Sequence, residues 1–231
     1  MTGTWINMGT VLVGGGVGWL LGERLPPRVR HGATVGVGLA TLVLGARMAL
    51  QTENVIVLML AIILGGTLGA ALRISSRLEA GSRRLETMLP GQPLAEGLLT
   101  ASLLFCVGPM TLLGAIQDGL FGDWSLLAAK SILDGVSATA LAATLGPGVL
   151  LSAAVILVYQ GGITLAARLM ATGLAAFSPA APEVTELSAA GGVIVLALGC
   201  GILKVRDLEP ANLLPALVAA PLLAWLARLL A

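Results

Sequence analysis

The sequence is short of charge, of aromatic side chains and of most residue types that ligate metals. Charged residues are 11% of the 231 positions, against about a quarter in an ordinary soluble domain. A water-facing surface cannot be built from so few charges, so a soluble globule is excluded. Aromatics are 3%, and His31 is the one histidine. The two cysteines, Cys106 and Cys200, lie in separate apolar runs. No CxxC or Cys/His cluster exists, which argues against a zinc-type site and leaves two buried free thiols as the default reading. No metal and no cofactor is implied. The first basic residue is Arg24, after the first apolar run rather than before it. A cleavable signal has its charge first, so residues 5–22 read as a retained transmembrane helix.

What is abundant is apolar. The chain is 57% hydrophobic, with mean hydropathy +0.96 and 31 glycines. Glycine-rich, Leu/Ala/Val-rich sequence suits helices that pack backbone to backbone in lipid. A span needs about 20 apolar residues. Eight are predicted, at 5–22, 32–50, 54–73, 97–117, 125–146, 147–171, 187–204 and 211–230, and seven remains an alternative. Pro26-Pro27, the polar turn 51–54, the charged segment 74–96 and Gly146-Pro147-Gly148 supply breaks. Pro179, Pro182, Glu183 and Glu186 mark the next loop, and 207–210 the last. The expected fold is an all-α membrane protein, one transmembrane domain over 1–231, a bundle of seven to eight helices.

Charge distribution supports eight. Loops 1–2, 3–4, 5–6 and 7–8 carry nine basic residues: Arg24, Arg28, Arg30, Arg73, Arg77, Arg83, Arg84, Lys204 and Arg206. The other side carries Arg47, Arg168 and Arg228, and Lys130 falls within a span. By the positive-inside rule the nine face the cytoplasm and both termini face out. The expected location is the bacterial inner membrane. Residues 74–96 form a cytoplasmic linker. Leu78, Leu85 and Met88 fall on helical spacing, so an interfacial helix with Arg77, Arg83 and Arg84 near lipid phosphates is the alternative to a solvated loop.

An internal repeat is suggested. LVLGARMAL at 42–50 resembles LALGCGILK at 196–204, and each precedes a polar turn ending in Asn, at Asn54 and Asn212. Spans 1–3 then repeat as spans 6–8. An offset of five helices inverts the halves in the membrane, a transporter-like arrangement. Duplication for structural economy is the alternative.

Polar residues concentrate between Gly108 and Gly135. Asp134 lies nine residues into span 5, about 14 Å deep at 1.5 Å per residue, near the midplane of a roughly 30 Å core. Lys130, Asp134, Ser137 and Thr144 share one helical face. An ionised group at that depth costs about 3 kcal/mol on insertion scales, so this face must meet the interior, a cavity or a partner. A structural i,i+4 pair is one explanation, but Lys before Asp is the poorer order, and a buried pair is often no better than an apolar replacement. A binding role for Asp134 is therefore preferred.

Gly108-Pro109 predicts a broken helix, because proline removes one backbone donor and frees a carbonyl one turn back. Thr111 can re-satisfy it locally; otherwise the freed backbone is open to a ligand. Gln117 and Asp118 close the span, and Asp118 and Asp123 at an outer mouth would concentrate cations, though Asp123 reads better as wet loop. Gln160 is mid-span and must either join helices or line a path. Asn7 is expected at the interface. The glycines at 14, 18 and 22, and at 65 and 69, support close packing, within the chain or in a homodimer. GGGVG follows no strand and is not a nucleotide loop.

The stretches GPMTLLGAIQDGL at 108–120, KSILDG at 130–135, GPGVLLSA at 146–153, YQGG at 159–162 and NLLPAL at 212–217, with Gly3, Thr4 and Asn7, carry a resemblance. The chain resembles the bacterial membrane family catalogued as domain of unknown function 554 over nearly its whole length. The resemblance implies a polytopic inner-membrane protein of transporter-like character, and it supplies no substrate and no established functional residues.

The expected function is a transporter or channel for a small ion or solute, not an enzyme. The candidate site is Asp134 and Lys130, with Ser137, Gln117, Asp118, Gln160, Thr111, Pro109, Gly108 and Asn7 around it. Expected partners are the lipid bilayer, the solute and a second copy of the chain, with no nucleic acid. A structural or regulatory membrane subunit is the alternative. A lipid-acting intramembrane enzyme lacks any Ser/His, His/Glu or metal-ligand spacing to support it.

Overall fold

The computed structural model describes residues 1–88, 94–169, 181–206 and 208–230. Among them are ten α-helices and a short 3₁₀ turn, Pro210–Leu213. The helices are α1 (Thr2–Gly22), α2 (Pro27–Ala49), α3 (Val55–Ala71), α4 (Ile74–Met88) and α5 (Ala95–Cys106), then α6 (Pro109–Phe121), α7 (Ser125–Leu145), α8 (Gly148–Leu169), α9 (Pro182–Ile202) and α10 (Ala216–Leu230). The fold class expected from composition is the one found. Among the described residues six helices are long and apolar enough to cross a membrane, and up to eight crossings result if each bent pair, α3 with α4 and α5 with α6, is one span.

Several boundaries differ from the sequence reading, and proline explains two. α2 and α9 begin at Pro27 and Pro182, residues expected in loops. Proline fits the first helical turn because its missing N–H has no intrahelical partner there. Glu183 and Glu186 therefore belong to α9. The span expected at 97–117 is two helices bent by 62°. Residues 74–88 of the charged segment are helical, and the stretch Ile74–Gly81 is bent 56° from α3. The side chains of Leu85 and Met88, residues 170–171 of the sixth span and Asp207 lie outside the described set.

Contacts divide the chain into two compact units, Met1–Val37 with Gly81–Phe177 and Gly38–Ala80 with Ser178–Ala231. The first is organised by α1. A Cβ added at Gly14 would meet Gly135 and Thr139, and one at Gly22 would meet Ala143. Residue numbers rise together, so α1 and α7 are parallel and in backbone contact. Against α8 the order reverses: Gly15 meets Leu150, while Asn7 bonds Gln160. Parallel α1 and α7 require an odd number of crossings between them. Three crossings, by α2, α3 and the bent α5–α6 pair, satisfy this, as the count of eight demands.

The second unit is built from antiparallel pairs. Gly45 meets Leu196 and Gly199 meets Leu42; Gly38 meets Leu203 and Gly192 meets Ala49. The offset that lays 42–50 on 196–204 also lays Gly38 on Gly192 and Gly45 on Gly199, so each half contributes small residues at matched places. α3 and α10 join around Ala61, Ala190, Ala216 and Ala220, with Gly65 against Ala216 and Gly69 against Asn212. The glycine faces singled out in the sequence are thus occupied within the chain.

Candidate functional site

α7 carries the two intramembrane charges. Its apolar residues divide by face: Leu127, Ala138 and Leu141 are buried, while Ile132, Leu133 and Val136 are exposed. The helical period puts Lys130 and Asp134 on the buried face, where they are 6% and 7% exposed. Lys130 Nζ donates to an Asp134 carboxylate oxygen, so the charges neutralise each other along one helix.

The glycines of α1 bring its polar residues against this pair. Asn7, 0% exposed, presents its side chain to Asp134. It also donates from Nδ2 to Gln160 Oε1 at 3.0 Å, and Gln160 donates from Nε2 to Thr4 Oγ1 at 3.2 Å. Three helices, α1, α7 and α8, therefore share one buried polar network. Cys106, at the end of α5, lies within electrostatic reach of both Lys130 and Asp134. Asn7 Oδ1 is buried without a hydrogen-bond partner among the described residues. Such a group loses its hydration without compensation.

The structure gathers four of the expected residues, Asp134, Lys130, Gln160 and Asn7. Asn7 is interior rather than interfacial, because the close α1–α7 contact covers it. Ser137 is half-buried one turn beyond Asp134 and Gln117 is half-buried on α6; neither joins the network. Asp118 is buried rather than at a wet mouth. Its Oδ2 accepts the Gly3 N–H at 3.0 Å and lies 2.9 Å from the Met1 amino group, which ties α6 to the first turn of α1. Asp123 Oδ1 accepts the Ser125 N–H at 3.0 Å, where α7 starts.

The break resolves locally. Gly108 is extended and its carbonyl accepts Thr111 N–H and Leu112 N–H as α6 begins. Phe105 O has lost its usual donor, four residues on, because that residue is Pro109. Thr111 Oγ1 donates to Phe105 O at 2.9 Å instead. Pro109 starts α6, and its side chain lies outside the described set.

Some buried polar residues were not anticipated. Thr4 belongs to the network. Glu186, 1% exposed, accepts from the Glu53 and Asn54 N–H groups at 2.8 and 2.9 Å and from Thr52 Oγ1. It closes the α2–α3 turn onto α9. The run of four polar residues at 51–54 was its one signal in the sequence. The repeated asparagines have different partners: Asn54 caps α3 through Ile56 and Val57 N–H, whereas Asn212 accepts Ser75 N–H. No group of three or more His, Cys, Asp or Glu able to hold a metal occurs among the described residues. A pocket of about 170 Å³ opens elsewhere in the first unit, between Trp19, Gly22, Glu23, Arg30, Gly146 and Pro147.

Comparison with known proteins finds a membrane protein among the relatives. A family described as "Protein of unknown function (DUF554)" matches residues 2–225. Among similar proteins is "Uncharacterized protein YqgA" of Escherichia coli (strain K12), 31% identical over 227 residues and 94% of each chain. Another is "Uncharacterized membrane protein YdfK" of Bacillus subtilis (strain 168), 28% identical over 225 residues, 96% of this chain and 94% of the relative. No solved structure matches.

Proposed function

We propose that this chain, which belongs to the DUF554 family and is a multi-pass membrane protein, moves a small ion or solute through a polar site centred on Asp134 and Lys130. The observation that carries the reading is a Lys–Asp pair buried on a helix whose other face is apolar and exposed, beside an Asn7 Oδ1 with no hydrogen-bond partner among the described residues. Intramembrane ionisable groups are costly and mark ion or substrate paths by default. Internal stability is a poor reason to keep them, since apolar residues would serve.

Lys130 acts as a tethered cation. A proton or mobile cation arriving at Asp134 displaces the ammonium, and its departure restores the pair. Asn7, Gln160 and Thr4 offer further oxygens and pin the three helices while this exchange occurs. The chain acts as a carrier or channel in the bacterial inner membrane, without catalysis, with its termini on the outer side. A homodimer would use faces other than the glycine surfaces already filled within the chain.

The test is flux and binding in liposomes. Purified protein is screened against monovalent and divalent cations, protons and small organic acids, beside Asp134→Asn and Lys130→Ala. Transport or ligand-dependent stabilisation lost in Asp134→Asn supports the reading. Both variants moving and binding every solute as the unmodified chain does would sink it.

A second reading is favoured by one observation. The 170 Å³ pocket is not lined by Lys130 or Asp134, and those two groups satisfy each other. A structural or regulatory subunit would look so. Cysteines placed along the Lys130–Asp134 face separate the two readings: water-borne thiol reagents label them on an open path and not in a sealed interior.

A further inference from the structure

We propose that the pocket between the ends of α1 and α7 binds a zwitterionic phosphoethanolamine group, an anionic phosphate ester carrying a primary ammonium, as in the headgroup of phosphatidylethanolamine. This site is independent of the Lys130–Asp134 network.

Its position comes first. Gly22 and Glu23 end α1, Leu145 ends α7, and Gly146-Pro147 turns the chain into α8; all of these line the pocket. Two spans therefore end and a third begins at one level, which puts the pocket at headgroup depth. Trp19 forms part of its wall, and indoles favour that depth. Val17, Leu20 and Leu21, in the last turns of α1, are exposed apolar side chains. They supply a surface along which acyl chains lie.

The chemistry comes second. Glu23 and Arg30, of opposite charge, line the same pocket, yet among the described residues neither has an ion-pair partner. Arg30 is held by one contact, Nη2 to Thr144 O at 2.9 Å, at the end of α7. Its other guanidinium N–H groups are uncommitted. A fixed guanidinium fork matches phosphate oxygens. A carboxylate near helix-terminal carbonyls suits an ammonium that can donate hydrogen bonds. Both side chains are exposed, and two opposite charges that line one pocket without meeting are what a ligand carrying both charges would bridge. At roughly 30 Å³ per water in the liquid, the volume of about 170 Å³ takes a group of several heavy atoms.

The experiment measures the thermal unfolding midpoint of the purified full chain in detergent. Lipids with identical acyl chains are added: phosphatidylethanolamine, phosphatidylcholine, whose quaternary ammonium cannot donate, and phosphatidylglycerol, which has none. Free O-phosphoethanolamine is a fourth arm and inorganic phosphate a fifth. The unmodified chain is compared with Arg30→Gln and Glu23→Gln. The expected result is a rise of several degrees with phosphatidylethanolamine beyond that with the other two lipids. Arg30→Gln abolishes that excess. Glu23→Gln, which removes no hydrogen bond among the described residues, makes the ethanolamine and choline lipids equal. Free phosphoethanolamine reproducing the rise identifies a soluble ligand, and its failure identifies the lipid; the recognised chemistry is the same. Equal rises with all three lipids, an effect of phosphatidylglycerol or inorganic phosphate as large as that of phosphatidylethanolamine, or an unchanged preference in either variant would overturn the proposal.

Discussion

Asn7 and Gln160 are joined by a 3.0 Å hydrogen bond although 153 residues separate them in the chain, and both are 0% exposed. The bond couples α1 to α8 beside the α7 ion pair. It makes the polar centre a property of three helices rather than of one.

Removing either amide leaves the other with unmet hydrogen-bonding groups out of water. Asn7→Leu and Gln160→Leu should each destabilise the protein, and the double variant should lose less than the sum. A coupling of about 0.6–1.7 kcal/mol is expected from interhelical bonds in membranes. Reversible unfolding in detergent micelles gives the double-mutant cycle, and strict additivity would remove the bond from the energetics.

The helix break makes a reciprocal prediction. Thr111→Val leaves Phe105 O without a donor at the cost of about 1–3 kcal/mol, while Thr111→Ser is nearly neutral. Adding Pro109→Ala to Thr111→Val restores a backbone N–H four residues beyond Phe105 and recovers part of the loss. The measurement is the melting midpoint of the four proteins, and an unaffected Thr111→Val would show that the hydroxyl is dispensable.

Glycines of α1 divide sharply. A Cβ at Gly18 would overlap the Thr139 backbone, whereas one at Gly9 has nothing within 4 Å. Gly18→Ala should therefore separate α1 from α7 and destabilise by about 1–3 kcal/mol, as overpacking does. Gly9→Ala should be neutral or stabilise slightly, up to about 1 kcal/mol. Equal effects at the two sites, read from thermal denaturation, would contradict the close contact.

Asp123 lies in the loop before α7, and the Ser125 hydroxyl and N–H hold its carboxyl below the usual carboxylate range. A lowered folded-state pKa adds stability above the unfolded value, and that contribution disappears as pH falls through the folded value. Amide exchange at the start of α7 should be slower in the unmodified chain than in Asp123→Ala at neutral pH. The difference should close as the solution is acidified below the ordinary carboxylate range. A gap that persists there would assign the protection to something other than the charge.

The sequence by itself determined that the chain crosses a membrane, nearly where each span lies, and which α7 face is turned inward. Those features follow from local quantities: apolar run length, the helical period and the cost of charge in lipid. The Pro109 break and its repair by Thr111 were legible for the same reason, since donor and acceptor are six residues apart. Tertiary structure decided the rest. Nothing along the chain pairs Asn7 with Gln160, brings Asp118 to the Gly3 N–H, or seats Glu186 on the 52–54 turn. A helical period fixes the face on which a polar residue stands but not which helix will cover that face. That choice rests on backbone approach, at Gly14 and Gly18 against α7 and at Gly45 and Gly192 between α2 and α9, and only the assembled helices settle it.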